Sequence, residues 1–72
     1  MQTIEFDLRE GEDFIPLIQL LKATGVVETG SMAQECVTAG LVYRNGQIEM
    51  RKRAKIRAGE TICLDRYEIR VI

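Results

Sequence analysis

The dipeptide Asn45-Gly46 constrains the fold of this chain more than any other local feature. Both residues tolerate the positive φ of a type I′ turn, and the pair is the strongest short-range signal for a β-hairpin. It joins a predicted strand at Leu41–Arg44 to a second predicted strand at Gln47–Met50. We therefore expect a hairpin in the middle of the chain.

The alternation of apolar residues predicts further strands on both sides of this hairpin. Apolar side chains alternate in Ile4–Leu8, in Thr61–Leu64 and in Tyr67–Ile72, and a period of two is typical of half-buried strands. The turn-forming sequence Ala58-Gly59-Glu60 precedes the second of these segments, and Glu10-Gly11-Glu12 breaks the first. We expect the first strand to pair with the last, which would hold both ends of the chain.

Helical spacing predicts a first helix between these regions. Asp13 is the expected N-cap, because its carboxylate can accept hydrogen bonds from free amides of the first turn. Pro16 is expected in that first turn, where its missing N–H costs nothing, and Thr24-Gly25 ends the helix. The predicted apolar stripe consists of Phe14, Leu17, Ile18, Leu20 and Leu21.

A second short helix is predicted from a cap at Thr29 or Ser31 to about Ala39. Gly40 suits the left-handed residue that ends a helix. The expected buried stripe consists of Met32, Ala33, Cys36 and Val37. Helices this short need tertiary packing to persist, so we expect the two to pack against each other.

The composition excludes several classes of function. The 72 residues include no His and no Trp, which removes His-based acid–base catalysis and His-ligated metal sites. Cys36 and Cys63 lie far apart without a CxxC motif, so we expect free, packing thiols, with a disulfide or a metal pair as the alternatives. No catalytic residue, metal or cofactor is predicted. Phe6, Phe14 and Tyr67 are expected in the core.

The chain length and hydropathy predict one domain over residues 1–72 in the cytoplasm. A chain of this size has marginal stability. No apolar run reaches the roughly 18 residues of a membrane-spanning helix, and the acidic first ten residues lack the basic region of a signal peptide.

Charge is distributed unevenly along the chain, although the formal net charge is only -1. Residues 1–40 carry two basic and seven acidic side chains, whereas residues 41–72 carry eight basic and four acidic ones. Between Arg44 and Arg57 six basic residues are opposed only by Glu49. Such a chain can present a phosphate-binding face. The alternatives are a solvated surface, or an adaptor that recognises a protein partner through its acidic and basic halves.

A set of residues from Leu17 to Leu64 shares its spacing with a known family. The set comprises Leu17, Leu20, Leu21, Thr29, Ala33, Gly40, Val42, Asn45, Gly46, Ile56, Gly59, Glu60 and Ile62. On these residues the chain resembles the RNA-binding domain named after small-subunit ribosomal protein four, which contains the αL motif. The block from Ala33 through Gly40 to Asn45-Gly46 is the most specific part.

The resemblance implies an α+β fold in which two short antiparallel-packed helices lie against a small, mainly antiparallel sheet. The motif core would span about residues 14–64, with an extra N-terminal strand before it. The resemblance further implies a non-enzymatic protein that binds structured RNA, most often ribosomal RNA or tRNA, in translation or on the ribosome. We expect the protein to be a monomer. Members typically begin their helices with Arg-Leu-Asp and Ser-Arg, where this chain has Pro16-Leu17-Ile18 and Thr29-Gly30. Arg44 stands where valine is usual.

The candidate RNA-binding residues follow from the charge pattern and the resemblance together. They are Lys22, Tyr43, Arg44, Asn45, Gln47, Arg51, Lys52, Arg53, Lys55 and Arg57. We expect residues 51–57 to be extended, with Arg51, Arg53 and Lys55 on one side and only Ile56 anchored in the core. Tyr43 is expected to face outwards, where it either stacks on a base or packs on a neighbouring side chain.

Overall fold

The computed structural model describes residues 1–8 and 12–72. In it the helical part of the chain ends near Gly40 and strands follow, as the sequence predicted. The described elements, in chain order, are β1 (Gln2–Phe6), β2 (Ile15–Pro16), α1 (Leu17–Ala23), α2 (Gly30–Thr38), β3 (Val42–Arg44), β4 (Gln47–Ile48), β5 (Lys55–Ile56), β6 (Thr61–Leu64) and β7 (Tyr67–Val71). The predicted α+β class, with two helices and a mainly antiparallel sheet, is confirmed.

The main sheet has the strand order β1-β7-β6-β3-β4. Its neighbours are antiparallel except for β1 and β7, which run parallel with Ile4 opposite Ile69. The predicted pairing of the first and last strands is therefore confirmed. The first strand begins and ends two residues earlier than predicted, although the Leu8 amide still donates to the Ile72 carbonyl at 2.9 Å.

A second ladder pairs β2 with β5 and places Ile15 opposite Ile56. It also changes the predicted start of the first helix. Asp13 is exposed and does not cap α1, and Pro16 occupies the N-cap position rather than the first turn. The amide of Leu17 instead donates to the carbonyl of Ala54 at 2.9 Å. A backbone carbonyl from the loop before β5 thus replaces the expected carboxylate cap. Residues 10 and 11 of the predicted break lie outside the described residues.

Of the two predicted caps of α2, Thr29 is the N-cap and Ser31 lies inside the helix. The Thr29 hydroxyl accepts a hydrogen bond from the amide of Met32 at 3.1 Å. Gly40 follows the helix with a φ of 76°, as predicted. The prediction that Met32 is buried is wrong, because its side chain is 44% exposed. Ala33 and Val37 face the core, and Met32 lies about 100° away around the helix, at the margin of the core.

One core cluster joins both helices to both ladders. Its buried members are Ile15, Leu17, Leu20, Leu21, Val27, Ala33, Val37, Val42, Ala54, Ile56, Ile62, Leu64, Ile69 and Val71. Phe6 packs against the cluster as a half-buried residue, whereas Phe14 and Tyr67 are half-buried outside it, contrary to the prediction. Both cysteines are free and half-buried, and Cys36 packs against the cluster.

Candidate nucleic-acid interface

The predicted hairpin forms around Asn45 and Gly46, which have φ values of 51° and 86°. Arg44 lies opposite Gln47, and Tyr43 lies opposite Ile48. The second strand is shorter than predicted and ends at Ile48, although the amide of Glu49 still donates to the carbonyl of Val42 at 2.9 Å. The side chain of Glu49 is only 8% exposed.

Residues 51–57, which we call the basic loop, are extended as the sequence predicted only at Lys55–Ile56, which form β5. Lys52 and Arg53 form a turn, and the amide of Ala54 donates to the carbonyl of Arg51 at 3.2 Å. Ala54 is a second buried anchor beside Ile56. The turn arises because Ala54 must reach the core and also offer its carbonyl to α1. The alternation of the cations about one strand axis is therefore absent.

Four of the five cations of the basic loop, all except Lys52, nevertheless line one open concavity of about 410 Å³. It is lined by Arg44, Arg51, Arg53, Ala54, Lys55 and Arg57. Lys52, Arg53, Lys55 and Arg57 are exposed and form no salt bridge with any residue in the described part of the chain. Like charges held together without local counterions create a strong positive potential. This surface is therefore suited to a polyanion.

A second concavity, of about 650 Å³, lies between the two helices and the basic loop. Here Lys22 of α1 joins Arg53 and Lys55, so three of the predicted cations meet although up to 33 residues separate them in the sequence. Gln19 and Gln34 add amide donors and acceptors. Neither glutamine was predicted from the sequence. The spacing of Gln19 and Lys22, three residues apart on one helix, is a signal that could have identified the first.

The aromatic ring of Phe14 forms part of this second concavity instead of the core. The Nζ atom of Lys55 lies 5.1 Å from the ring centroid, and the guanidinium carbon of Arg57 lies 6.0 Å from it. Both distances fall within the range of cation–π attraction. Phe14 therefore helps to hold two cations at the surface, a role that was not predicted from the sequence.

Arg44 differs from the other cations because its guanidinium is directed into the protein. Its Nε donates to Oε1 of Glu60 at 2.7 Å, and its Nη2 donates to Oε2 of the same carboxylate at 3.0 Å. Nη1 donates to Oε1 of Glu49 at 3.1 Å, and Nη2 also donates to the carbonyl of Lys55 at 2.9 Å. We call Arg44, Glu49 and Glu60 the Arg44 network.

The two carboxylates of the Arg44 network are held in their charged forms. Burial raises the pKa of Glu49, but hydrogen bonds from Arg51 and Arg44 outweigh this effect and lower it to about 2. The hydrogen bonds from Arg44 lower the pKa of Glu60 against the opposing effect of burial. Glu60 in turn raises the pKa of Arg44. The network therefore stays fully ionised at neutral pH.

The remaining predicted residues lie on or beside the hairpin. The side-chain amide of Asn45 is engaged within the protein, since its Oδ1 accepts from the Thr61 amide at 2.9 Å and its Nδ2 donates to Glu60 at 3.2 Å. Gln47 is exposed. Tyr43 is 43% exposed on the face opposite Val42, as predicted, while its role in stacking or packing stays a prediction.

Neither a metal-binding cluster nor a membrane-spanning helix is found in the part of the chain that the structure describes. In residues 1–8 and 12–72, no cluster of three or more His, Cys, Asp or Glu side chains is placed to hold a metal. Among the described helices, none has the length and apolar character needed to cross a membrane.

Comparison with known proteins identifies the family to which this chain belongs. A model of the S4 domain matches residues 6–72, and the chain belongs to this family. The predicted family resemblance is thereby confirmed.

Particular relatives were found among both sequences and structures. The chain is 36% identical over 58 residues to a protein of Escherichia coli K12 named "Putative RNA-binding protein YbcJ", covering 81% of this chain and 83% of that protein. YbcJ of Shigella flexneri matches with the same identity and coverage. The solution structure of E. coli YbcJ, described as having an αL motif involved in RNA binding, superposes with a TM-score of 0.76 and 32% identity. That match covers all of this chain and 90% of the other.

Proposed function

We propose that this protein binds structured RNA through the basic loop and the adjoining concavity between the helices. Membership of the S4 family and the similarity to YbcJ support an RNA partner. Ribosomal RNA or tRNA is the proposed class, as the family resemblance implies. The supporting geometry brings Lys22, Arg53 and Lys55 to one surface.

The observation that carries the proposal is the group of four exposed cations in the basic loop that lack salt-bridge partners within the described part of the chain. They are Lys52, Arg53, Lys55 and Arg57. Contacts between such side chains and phosphates release counterions, which makes the affinity fall steeply with salt. Double-stranded RNA has a major groove too narrow for side chains, so recognition would rest on shape, phosphates and 2′-hydroxyls.

Polar and aromatic residues near the cations supply the other interactions of the proposal. Gln19, Gln34 and Gln47 can donate to and accept from ribose hydroxyls. Tyr43 can stack on an unpaired base. Because Arg44 and Asn45 are engaged within the protein, we assign them a lesser direct share in RNA binding than the basic loop.

The proposal makes binding itself the function of a single domain over residues 1–72, acting as a cytoplasmic monomer in translation or on the ribosome. No residue is assigned a catalytic role. The sequence also left open an adaptor that binds a protein partner, and the salt dependence of RNA binding separates the two possibilities.

Fluorescence anisotropy with labelled tRNA and ribosomal RNA fragments would test the proposal across about 50 to 200 mM salt. The test variant is Arg53→Gln/Lys55→Gln. The control is Arg66→Gln/Arg70→Gln, which removes the same charge at exposed sites in and after the β6–β7 turn. We expect the test variant, but not the control, to flatten the log–log salt slope by about 0.7 to 0.9 for each phosphate that it no longer neutralises. Equal behaviour of the two variants would refute the proposed face. Absence of salt-dependent binding by the unmodified protein would favour the adaptor.

A further inference from the structure

We propose that Arg44 is a positioning residue that holds the basic loop in its RNA-binding conformation from inside the protein. This inference rests on the proposed function, since it concerns how the same surface is prepared for RNA. It assigns Arg44 a different task from the other cations, which face solvent.

Arg44 reaches the start of the basic loop through Glu49. The guanidinium Nη1 donates to Oε1 of that carboxylate at 3.1 Å, and Oε2 of the same carboxylate accepts from the backbone amide of Arg51 at 3.1 Å. A side chain of the hairpin strand therefore holds the first backbone group of the loop through one buried carboxylate.

Arg44 reaches the end of the basic loop through two further connections. Its Nη2 donates directly to the carbonyl of Lys55 at 2.9 Å. Its fork on Glu60 orients the carboxylate oxygen that accepts from the backbone amide of Arg57 at 2.7 Å. Both ends of the seven-residue basic loop are thus attached to one guanidinium. These attachments fix the positions of the cations between the two ends.

The hydrogen bonding of Arg44 leaves little capacity for direct interaction with a phosphate. An arginine has five N–H donors in a rigid fork, and Arg44 makes four hydrogen bonds within the protein. Its side chain is 20% exposed, against 76% for Arg51. Arg44 is therefore placed to fix the loop, and a loop ordered before binding loses less entropy on association.

A charge argument and the positioning argument predict opposite results for Glu60→Gln. The substitution makes the RNA-binding surface more positive, so electrostatics alone predicts tighter binding. Positioning predicts weaker binding, because the fork to Arg44 and the bond to the Arg57 amide are both weakened. The matched control is Glu5→Gln, which changes the net charge equally at an exposed position of β1, two strands away from Thr61 in the main sheet.

We expect Glu60→Gln to lower the affinity for labelled tRNA by roughly 3- to 10-fold, the factor that corresponds to ordering one or two side chains on binding. The salt slope should stay unchanged, since every phosphate-binding cation is still present. The control should leave the affinity unchanged or slightly tighter, because Glu5 makes none of the hydrogen bonds that hold the basic loop. Arg44→Lys, which keeps the charge but cannot form the fork, should behave like Glu60→Gln.

Amide hydrogen exchange in the free protein gives a readout that does not need RNA. Exchange at Arg51 and Arg57 should accelerate in both network variants, while amides of the main sheet keep their protection and report an intact fold. If Glu60→Gln binds as tightly as Glu5→Gln, or if exchange at Arg51 and Arg57 is unchanged in both network variants, the positioning role is overturned. If the unmodified protein shows no salt-dependent binding, the proposed function fails instead, and the exchange data still decide whether Arg44 holds the loop.

Discussion

The Nζ atom of Lys55 lies 5.1 Å above the ring of Phe14, a residue 41 positions earlier in the chain. This proximity follows from the β2–β5 ladder, in which Pro16 lies opposite Lys55. Arg57 approaches the same ring at 6.0 Å. An aromatic residue just before a two-residue strand thus supports two cations of the basic loop.

The Phe14–Lys55 pair predicts an energetic coupling between the two side chains. In a double-mutant cycle with Phe14→Leu and Lys55→Met, urea unfolding should give a coupling of about 0.5–1 kcal/mol, the value of an exposed cation–π pair. Each substitution keeps apolar bulk, so the cycle isolates the ring–cation attraction. Strict additivity of the two single effects would show that the ring serves only as packing.

The lowered pKa of Glu49 predicts that the protein loses stability in acid. Its pKa is about 2 in the folded protein, below its ordinary value of 4.5. Because the pKa of Glu49 is lower in the folded than in the unfolded protein, its ionised carboxylate stabilises the fold. This stabilisation is complete above about pH 4.5 and is lost as the pH falls towards 2. The lowered pKa corresponds to a contribution of roughly 3 kcal/mol to the free energy of unfolding at neutral pH.

Urea unfolding at neutral pH and near pH 3 would measure this acid sensitivity. Glu49→Gln should reduce the free energy of unfolding at neutral pH and flatten its decline in acid. Glu5→Gln, at an exposed position, is the control. A Glu49→Gln protein with the same acid sensitivity as the unmodified one would contradict the assignment.

The side chain of Ile56 is fully buried and anchors the basic loop in the core. We therefore expect smaller side chains at this position to lower the free energy of unfolding. Ile56→Val should cost about 0.5–1.5 kcal/mol in the free energy of unfolding, and Ile56→Ala about 2–5 kcal/mol. In a chain of 72 residues the larger loss approaches the whole stability. Denaturation monitored by circular dichroism would measure both, and a loss below about 0.5 kcal/mol for Ile56→Ala, well under the usual range, would argue against this anchoring.

We expect the side chain of Asn45 to stabilise the protein through its hydrogen bonds, in addition to the effect of its backbone conformation in the turn. Asn45→Gly keeps the positive φ but removes the side-chain bonds to Glu60 and to the Thr61 amide. We expect a loss of about 1 kcal/mol, the net value of a typical hydrogen bond. Equal or greater stability of Asn45→Gly in urea unfolding would show that only the backbone conformation matters at this position.

Much of the local structure could be predicted because single residues or short periods encode it. The turn at Asn45-Gly46, the cap at Thr29 and the helix end at Gly40 each depend on the conformational preference of one or two residues. The start of α1 could not be predicted in the same way. Its cap is the carbonyl of Ala54, and a backbone group carries no sequence signature.

The candidate site was predicted in composition but not in arrangement. The density of cations between residues 51 and 57 predicted the surface, whereas Lys22 was predicted as a single cation at the end of the first helix, where interaction with the helix dipole was the alternative role. The partners of Arg44 were not predictable, because Glu49 and Glu60 lie 5 and 16 residues further along the chain, each beyond a turn. From the charge pattern of the sequence alone, Arg44 could be either a free cation or one paired with a carboxylate.

The sequence by itself determined the two helices, the hairpin, the alternating strands and the excess of positive charge in the second half, because each depends on neighbouring residues. The tertiary structure decided which charges stay free. It turns Arg44 inwards onto Glu49 and Glu60 and leaves Arg53 and Lys55 facing solvent beside Lys22. The physical reason is that a buried charge must find a partner, and which partner it meets depends on the packing of segments that are distant in the chain.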